Sequence, residues 1–146
     1  MLKQYRHIQV AIDGSKEADA AFQKAVAIAA RNDADLEILH VIDTRSFQNV
    51  SSFDSAMVEQ VSKEAETKLK EYHQRAIKAG AKKANYTVEF GSPKTIISHD
   101  FPKKKNIDLI ILGATGLNAV ERILLGSVTE YVSRTAKCDV LVIRNK

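Results

Sequence analysis

Apolar positions along the chain alternate between two spacings, and the alternation repeats. Residues 7–12 (HIQVAI) form a short apolar, β-branched run that predicts a strand. Asp13-Gly14-Ser15 then reads as a turn followed by a helix N-cap. Ala18, Ala21, Phe22, Ala25 and Ala29 recur three or four apart, which predicts an amphipathic helix over 16–32. Its face is mostly alanine, so it can lie close on a sheet. Residues 35–42 return to an apolar run (Leu36, Ile38, Leu39, Val41, Ile42), as in a parallel strand covered on both faces. Residues 43–54 are polar and read as the one long loop.

Val58, Val61, Ala65, Leu69, Tyr72, Ala76 and Ala79 trace a long second helix that Gly80 stops. Tyr86, Val88 and Phe90 alternate with Thr87 and Glu89, giving a third strand. Gly91-Ser92-Pro93 supplies a turn, an N-cap and a first helical position. Ile96 and Ile97 continue in helical spacing, but Pro102 lies inside the segment. Proline lacks the N–H and disfavours helix at the residue before it, so a kinked or broken helix is expected, with Phe101 pointing inward. Residues 108–112 are a fourth strand. A last helix over 127–135 carries Val128, Tyr131, Val132 and Ala136 on one side, and residues 140–143 are a fifth strand.

Strictly alternating β and α elements imply parallel strands joined by right-handed crossovers. The fold class expected is α/β: a single-domain, open five-stranded parallel sheet with helices on both faces, Rossmann-like in plan. The length of 146 residues suits one domain, and a chain of that size buries roughly 70% of its unfolded surface. The longest apolar run is Ala25 to Ala30, far short of a membrane span. The first 15 residues hold no apolar segment of a secretory leader. The single cysteine, Cys138, excludes an intrachain disulfide and fits a reducing compartment, so a cytoplasmic location is expected. A net charge of +4 is modest. The run Lys103 to Lys105 has no interleaved aromatics, so no nucleic-acid partner is expected and a solvated helix end explains it.

Candidate chemistry concentrates in residues 108–129. The fourth strand runs into Gly113, Gly116 follows, and Gly126-Ser127 opens the last helix. Glycine permits positive φ and close approach of a ligand to the main chain. The first turn of a helix offers unpaired N–H groups and partial positive charge, which suit phosphate. Ser127 and Thr129 add hydroxyls there. In open α/β sheets ligands bind beyond the carboxyl ends of the strands, where the strand order reverses. Asp13, the segment from Val41 to Asp43, and Gly113 close strands one, two and four at that edge. An adenine ring suits an apolar slot between strands one and two, a carboxylate such as Asp13 suits a ribose hydroxyl, and phosphates suit the path from Gly113 and Gly116 to Gly126, Ser127 and Thr129. Separately, each residue has a plainer reading: Asp13 as a helix cap, Gly113 as a strand-end turn, Gly126 as the start of a helix. The stretch is neither a GxxxxGK[ST] loop nor the dinucleotide GxGxxG.

Gly113, Gly116, Gly126 and Ser127 reproduce G-x2-G-x9-G-[ST], and the whole stretch GLNAVERILLGSVTEYVSRTAKCDVLVIR resembles the universal stress protein family. VAIDGS and LHVID are similar to that family's first two strands. The resemblance spans roughly residues 3–144 and implies a UspA-like protein of the ATP-binding branch. It implies the adenine nucleotide alpha hydrolase-like sheet order 3-2-1-4-5. It also implies a homodimer through the last strand, Val140, Leu141, Val142 and Ile143. Carried over by position, Ala11, Asp13 and Val41 hold the adenosine end. Leu112, Gly113, Gly116, Gly126, Ser127, Val128 and Thr129 line the ribose and phosphates. Three residues depart from the pattern: Ala11 and Asp139 stand where proline is common, and Pro102 interrupts a helix that is usually continuous.

Hydrolysis needs a base on a water and charge stabilisation at the γ-phosphate. No residue fits that base. His7 lies at the far end of strand one, His40 reads as packed, His73 and His99 read as surface residues, and Cys138 reads as apolar filler. Arg122 reads as solvated, though its loop adjoins the phosphates. The expected function is therefore an ATP-binding, dimeric, nucleotide-responsive regulatory protein in stress response, with at most slow ATP hydrolysis and no catalytic residue. Mg²⁺ or Mn²⁺ is expected to bind through the phosphates. Two alternatives stay open: a nucleotide-dependent enzyme using residues 43–54 as a substrate loop, although an SGGxDS pyrophosphate loop is absent, and a dimeric scaffold with an empty site.

Overall fold

The computed structural model describes residues 4–47, 55–115 and 125–144. The elements follow in the order β1 (His7–Ala11), α1 (Lys16–Asn32), β2 (Asp35–Asp43), a 3-10 turn (Thr44–Phe47), α2 (Ser55–Lys78) and β3 (Lys83–Gly91). The third helix comes in three pieces, α3 (Pro93–Thr95), a π turn (Ile96–Asp100) and α4 (Phe101–Lys105). Then come β4 (Leu109–Gly113), α5 (Ser127–Thr135) and β5 (Asp139–Ile143). All strand pairs are parallel, in the order β3-β2-β1-β4-β5, as expected. Among the described residues no helix is long and apolar enough to cross a membrane.

Side-chain alternation on the strands builds two apolar layers. Ile8, Val10, Leu36, Ile38, Leu109 and Ile111 face one side, where they pack against Ala21, Phe22, Ala25 and Ala29 of α1 and Leu69 and Ala76 of α2. Leu39, Ile110 and Leu112 face the other side, against Ile97, Phe101 and Val132. The alanine stripe of α1 lets that helix sit directly on β1 and β4, the two central strands. Every residue of β4 is buried. Each large aliphatic side chain so enclosed is stabilised by about 1.5–3 kcal/mol relative to water.

Backbone geometry ends the helices where the sequence places turn residues. Asp33 (φ 52°), Gly80 (φ 106°) and Asn106 (φ 55°) adopt left-handed conformations just after α1, α2 and α4. The broken third helix takes the form of one wide turn. The N–H of Phe101 reaches back five residues to Ile96 O, and Pro102 follows with no N–H to give. Phe101 is buried, as expected.

Two elements differ from the sequence reading. β3 begins at Lys83, ahead of the Tyr86–Thr87–Val88 alternation, because Lys83, Ala84 and Asn85 pair with Asp35, Leu36 and Glu37. As an edge strand β3 also leaves Phe90 40% exposed. Part of the long polar loop is a 3-10 turn. Asp43 belongs to β2, and residues 48–54 of that loop, together with Gly116 and Arg122, lie outside the described residues.

Candidate functional site

A cleft of about 410 Å³ opens at the carboxyl ends of β1, β2 and β4, where the sheet order reverses. Nine of the ten residues singled out from the sequence line it: Ala11, Asp13, Val41, Leu112, Gly113, Gly126, Ser127, Val128 and Thr129. The tenth, Gly116, lies outside the described residues. Ala11, Val41, Leu112 and Val128, together with Leu39 and Ile97, give the cleft apolar walls.

The Asp13 turn is built from its own side chain. Ile12 N–H donates to Leu39 O at 2.8 Å, which carries the β1–β2 ladder one residue past the strand. Asp13 Oδ1 then accepts from the Ser15 N–H at 2.9 Å across Gly14, which sits at φ +89°. Asp13 does not cap α1. Ser15 does, its Oγ accepting from the Ala18 N–H at 3.0 Å. The Asp13 carboxylate stays exposed at the mouth of the cleft.

Gly113 is required by packing. A Cβ there would lie 2.7 Å from Glu17 Cβ and 2.8 Å from the Glu17 carbonyl carbon, so the first turn of α1 rests on this glycine. From its end the chain is stitched to the following elements. Ala114 N–H donates to Ile143 O at 2.8 Å, and Gly126 N–H donates to Ala114 O at 2.8 Å. The Thr129 hydroxyl donates to Gly113 O at 2.7 Å and is buried. A hydroxyl has one hydrogen, so the expectation of Thr129 as a hydroxyl donor to a ligand is corrected: that hydrogen ties α5 to β4.

α5 starts at Gly126, which occupies the N-cap in an ordinary extended conformation (φ −63°, ψ 157°). Positive φ is therefore not the reason for glycine there. With no cap side chain bonded to it, the first intrahelical bond is Glu130 N–H to Gly126 O at 2.9 Å. The first-turn N–H groups of Ser127, Val128 and Thr129 have no acceptor within the helix. They stand at the cleft, with the exposed Ser127 beside them.

Ile12, Ala18, Leu39, Asp43, Pro93, Ile97 and Thr115 also line the cleft and were not singled out as site residues. Pro93 and Ile97 have a topological signal. The crossover from β3 at one edge to β4 must pass over β2 and β1, so the start of that helix overhangs the strand ends. Asp43 is held by Arg45 through contacts of 2.7, 3.0 and 3.2 Å. The guanidinium keeps its carboxyl below the usual carboxylate range. The described lining thus holds two carboxylates and no lysine or arginine. Among the described residues no group of histidine, cysteine and carboxylate side chains is set to hold a metal ion.

The histidines lie elsewhere. His7 sits 3.1 Å from Asp35 at the opposite end of the sheet. His40 is half-buried, its Nδ1 2.6 Å from Ile12 O. His73 is not a surface residue as expected: it is half-buried, with Nε2 2.8 Å from Ala84 O, because α2 packs on β3. His99 is likewise half-buried. Cys138 packs against the second apolar layer.

Comparison with known proteins gives one answer. The model of the universal stress protein family matches residues 4–144. A Staphylococcus epidermidis protein named as a universal stress protein is 46% identical over 142 residues, covering 97% of this chain and 86% of that one. The solved universal stress protein UspA from Lactobacillus plantarum is 34% identical, with a TM-score of 0.81 over 98% of this chain and 100% of its own. A universal stress protein crystallised in complex with cAMP is 27% identical, with a TM-score of 0.71 over 97% and 98% of the two chains. The chain belongs to the universal stress protein family.

Proposed function

We propose that the cleft binds ATP and that the chain works as a dimeric, nucleotide-responsive regulatory protein in the stress response. The observation that carries this reading is the start of α5, whose uncapped N–H groups face an apolar cleft at the switch point of the sheet. The adenine ring packs between Ala11 and Val41, against Leu39 and Ile97. Asp13 accepts from a ribose hydroxyl. The phosphates run past Gly113 and Leu112 to the main-chain N–H groups of Ser127, Val128 and Thr129, with the Ser127 hydroxyl as a further donor. The glycine signature that includes Gly116 supports the ATP-binding branch. The cAMP complex of a related protein supports an adenine nucleotide as the ligand class.

The described lining offers two carboxylates and no cation, so triphosphate binding is expected to need Mg²⁺ or Mn²⁺ carried in on the phosphates. Both carboxylates belong to the adenosine end of this arrangement, which leaves no base beside the γ-phosphate among the described residues. Hydrolysis is accordingly slow or absent. β5 supports the dimer. It is an edge strand whose Val140, Leu141, Val142 and Ile143 are only half-buried within the protomer, and such an edge calls for cover.

The test is the nucleotide content of the purified protein, released by denaturation and resolved by chromatography, with ATP and cAMP titrations in the presence and absence of Mg²⁺. Bound ATP, or ADP formed slowly from it, and Mg²⁺-dependent ATP affinity are the expected results. An empty protein that binds neither nucleotide overturns the reading. Sedimentation of wild type and Val142→Asp tests the dimer, which the substitution is expected to convert to monomer.

A further inference from the structure

Beneath the broken third helix lies a row of polar side chains in an otherwise apolar layer. Asn85 on β3, Glu37 on β2 and Gln9 on β1 are register partners. On its other side Gln9 pairs with the apolar Ile110 of β4. Gln9 is fully buried and Glu37 is 8% exposed. Among the described residues the only buried side-chain oxygens or nitrogens without a hydrogen-bond partner are Gln9 Oε1 and Glu37 Oε2.

Pro102 explains the Gln9 end of the row. In the wide turn Phe101 N–H goes to Ile96 O, and the donor next in line for Ile97 O would be the nitrogen of Pro102, which carries no hydrogen. The Gln9 side chain supplies the missing donor, its Nε2 reaching Ile97 O at 3.1 Å. Only the NH₂ end of an amide donates to a carbonyl, so this bond fixes which way the amide faces and leaves Oε1 as an acceptor. The polar side chain next to Gln9 in its row is Glu37, some 4.8 Å across the ladder. One hydrogen between these register partners would satisfy both orphan acceptors. A metal cation there would find only these two free oxygens, too few for its shell.

We propose that Glu37 keeps its proton in the folded chain at neutral pH and donates it to Gln9 Oε1, so that a shared proton closes a polar chain from β2 to the broken helix. The charged and titratable groups around Glu37 are Lys105 on α4, His7 on β1 and Asp35 on its own strand, with the neutral Asn85 side chain hydrogen-bonded to it. Burial outweighs the lowering by Lys105, Asn85 and His7 and raises the carboxyl above its usual range. The chain is a latch. Ile97, whose carbonyl it holds, also lines the cleft, so loss of the proton loosens one wall of that cleft. The inference does not depend on which ligand the cleft takes.

The sign of the pH dependence separates the two states of Glu37. A carboxyl raised on folding binds more protons in the folded state. Its stabilisation is full below the unfolded value and is lost as pH rises through the folded one. Glu37→Gln keeps a donor for Gln9 Oε1 and cannot titrate. Urea unfolding of ligand-free protein from acid to alkaline pH is the experiment. Relative to Glu37→Gln, the unfolding constant of the wild type is expected to rise with pH, by up to about tenfold per pH unit between the unfolded and the folded value, and to level off above the folded value. A wild-type advantage over Glu37→Gln that instead grows with pH means an ionised Glu37 and overturns the proposal, as does a difference independent of pH. If Glu37→Gln does not fold, carboxyl ¹³C NMR of the wild type decides: a Glu37 resonance protonated at neutral pH supports the latch, and an ionised one overturns it.

Discussion

Two helices begin at the same end of the sheet, and their first turns are finished in opposite ways. At α1 the cap is supplied from within: Asp13 takes the Ser15 N–H, and Ser15 takes the Ala18 N–H. At α5 the cap position is a glycine, which has no side chain to offer, and the first turn is left open towards the cleft. Both starts converge on Gly113, where α1 rests its Glu17 and α5 anchors its Thr129 hydroxyl. The difference teaches that glycine in this signature does two separate jobs. Gly113 makes room for a neighbouring helix. Gly126, whose φ of −63° any residue adopts, leaves out an oxygen that would compete with a ligand for the same N–H groups.

Substitutions at the two starts sharpen this contrast. Gly113→Ala is expected to have the largest effect, because its Cβ meets main-chain atoms of Glu17 that cannot rotate away. A loss of about 2–3 kcal/mol in urea unfolding is expected. A mild effect there would mean that α1 is not seated on Gly113. Thr129→Val preserves shape and removes the buried bond to Gly113 O, for about 1–2 kcal/mol by the same measurement. Ser15→Ala removes the α1 cap and is expected to cost about 1 kcal/mol while leaving nucleotide affinity unchanged. Ser127→Ala reverses that pattern. On the exposed first turn of α5 it should change stability by less than about 0.5 kcal/mol. It should weaken ATP binding by about fivefold in calorimetry, the loss of one hydrogen bond worth about 1 kcal/mol. Equal affinity loss from Ser15→Ala and Ser127→Ala would erase the distinction between the two starts.

Much of this layout is readable from residue order. Alternating periods placed every strand and helix, because each element buries a continuous apolar face and the turn residues between them mark its ends. The break before Pro102 was legible for a chemical reason, the missing N–H. Its form was not, because the wide turn is completed by Gln9, which lies far away in sequence. The first residues of β3 escaped notice because Lys83, Ala84 and Asn85 lack apolar alternation and are ordered by pairing with β2. At the cleft, glycine spacing led to residues that line it but not to the reason for Gly113, since Glu17 reaches it only through the fold. Thr129 read as a free hydroxyl for the same reason: its acceptor is a strand carbonyl sixteen residues away.

The walls of the cleft come from the ends of β1, β2 and β4, from the helix after β3 and from the start of α5, so they span residues 11–129. Only a fragment that runs from β1 through the start of α5 contains them all. A growing polypeptide, or one with a strand out of place, has no such cleft, and whatever molecule occupies it engages finished copies alone. Occupancy then adds RT ln(1 + [L]/Kd) to the stability of those copies and nothing to the others. A small molecule that binds there would thereby act as an inspector of assembly, lengthening the lifetime of each chain that has completed its sheet.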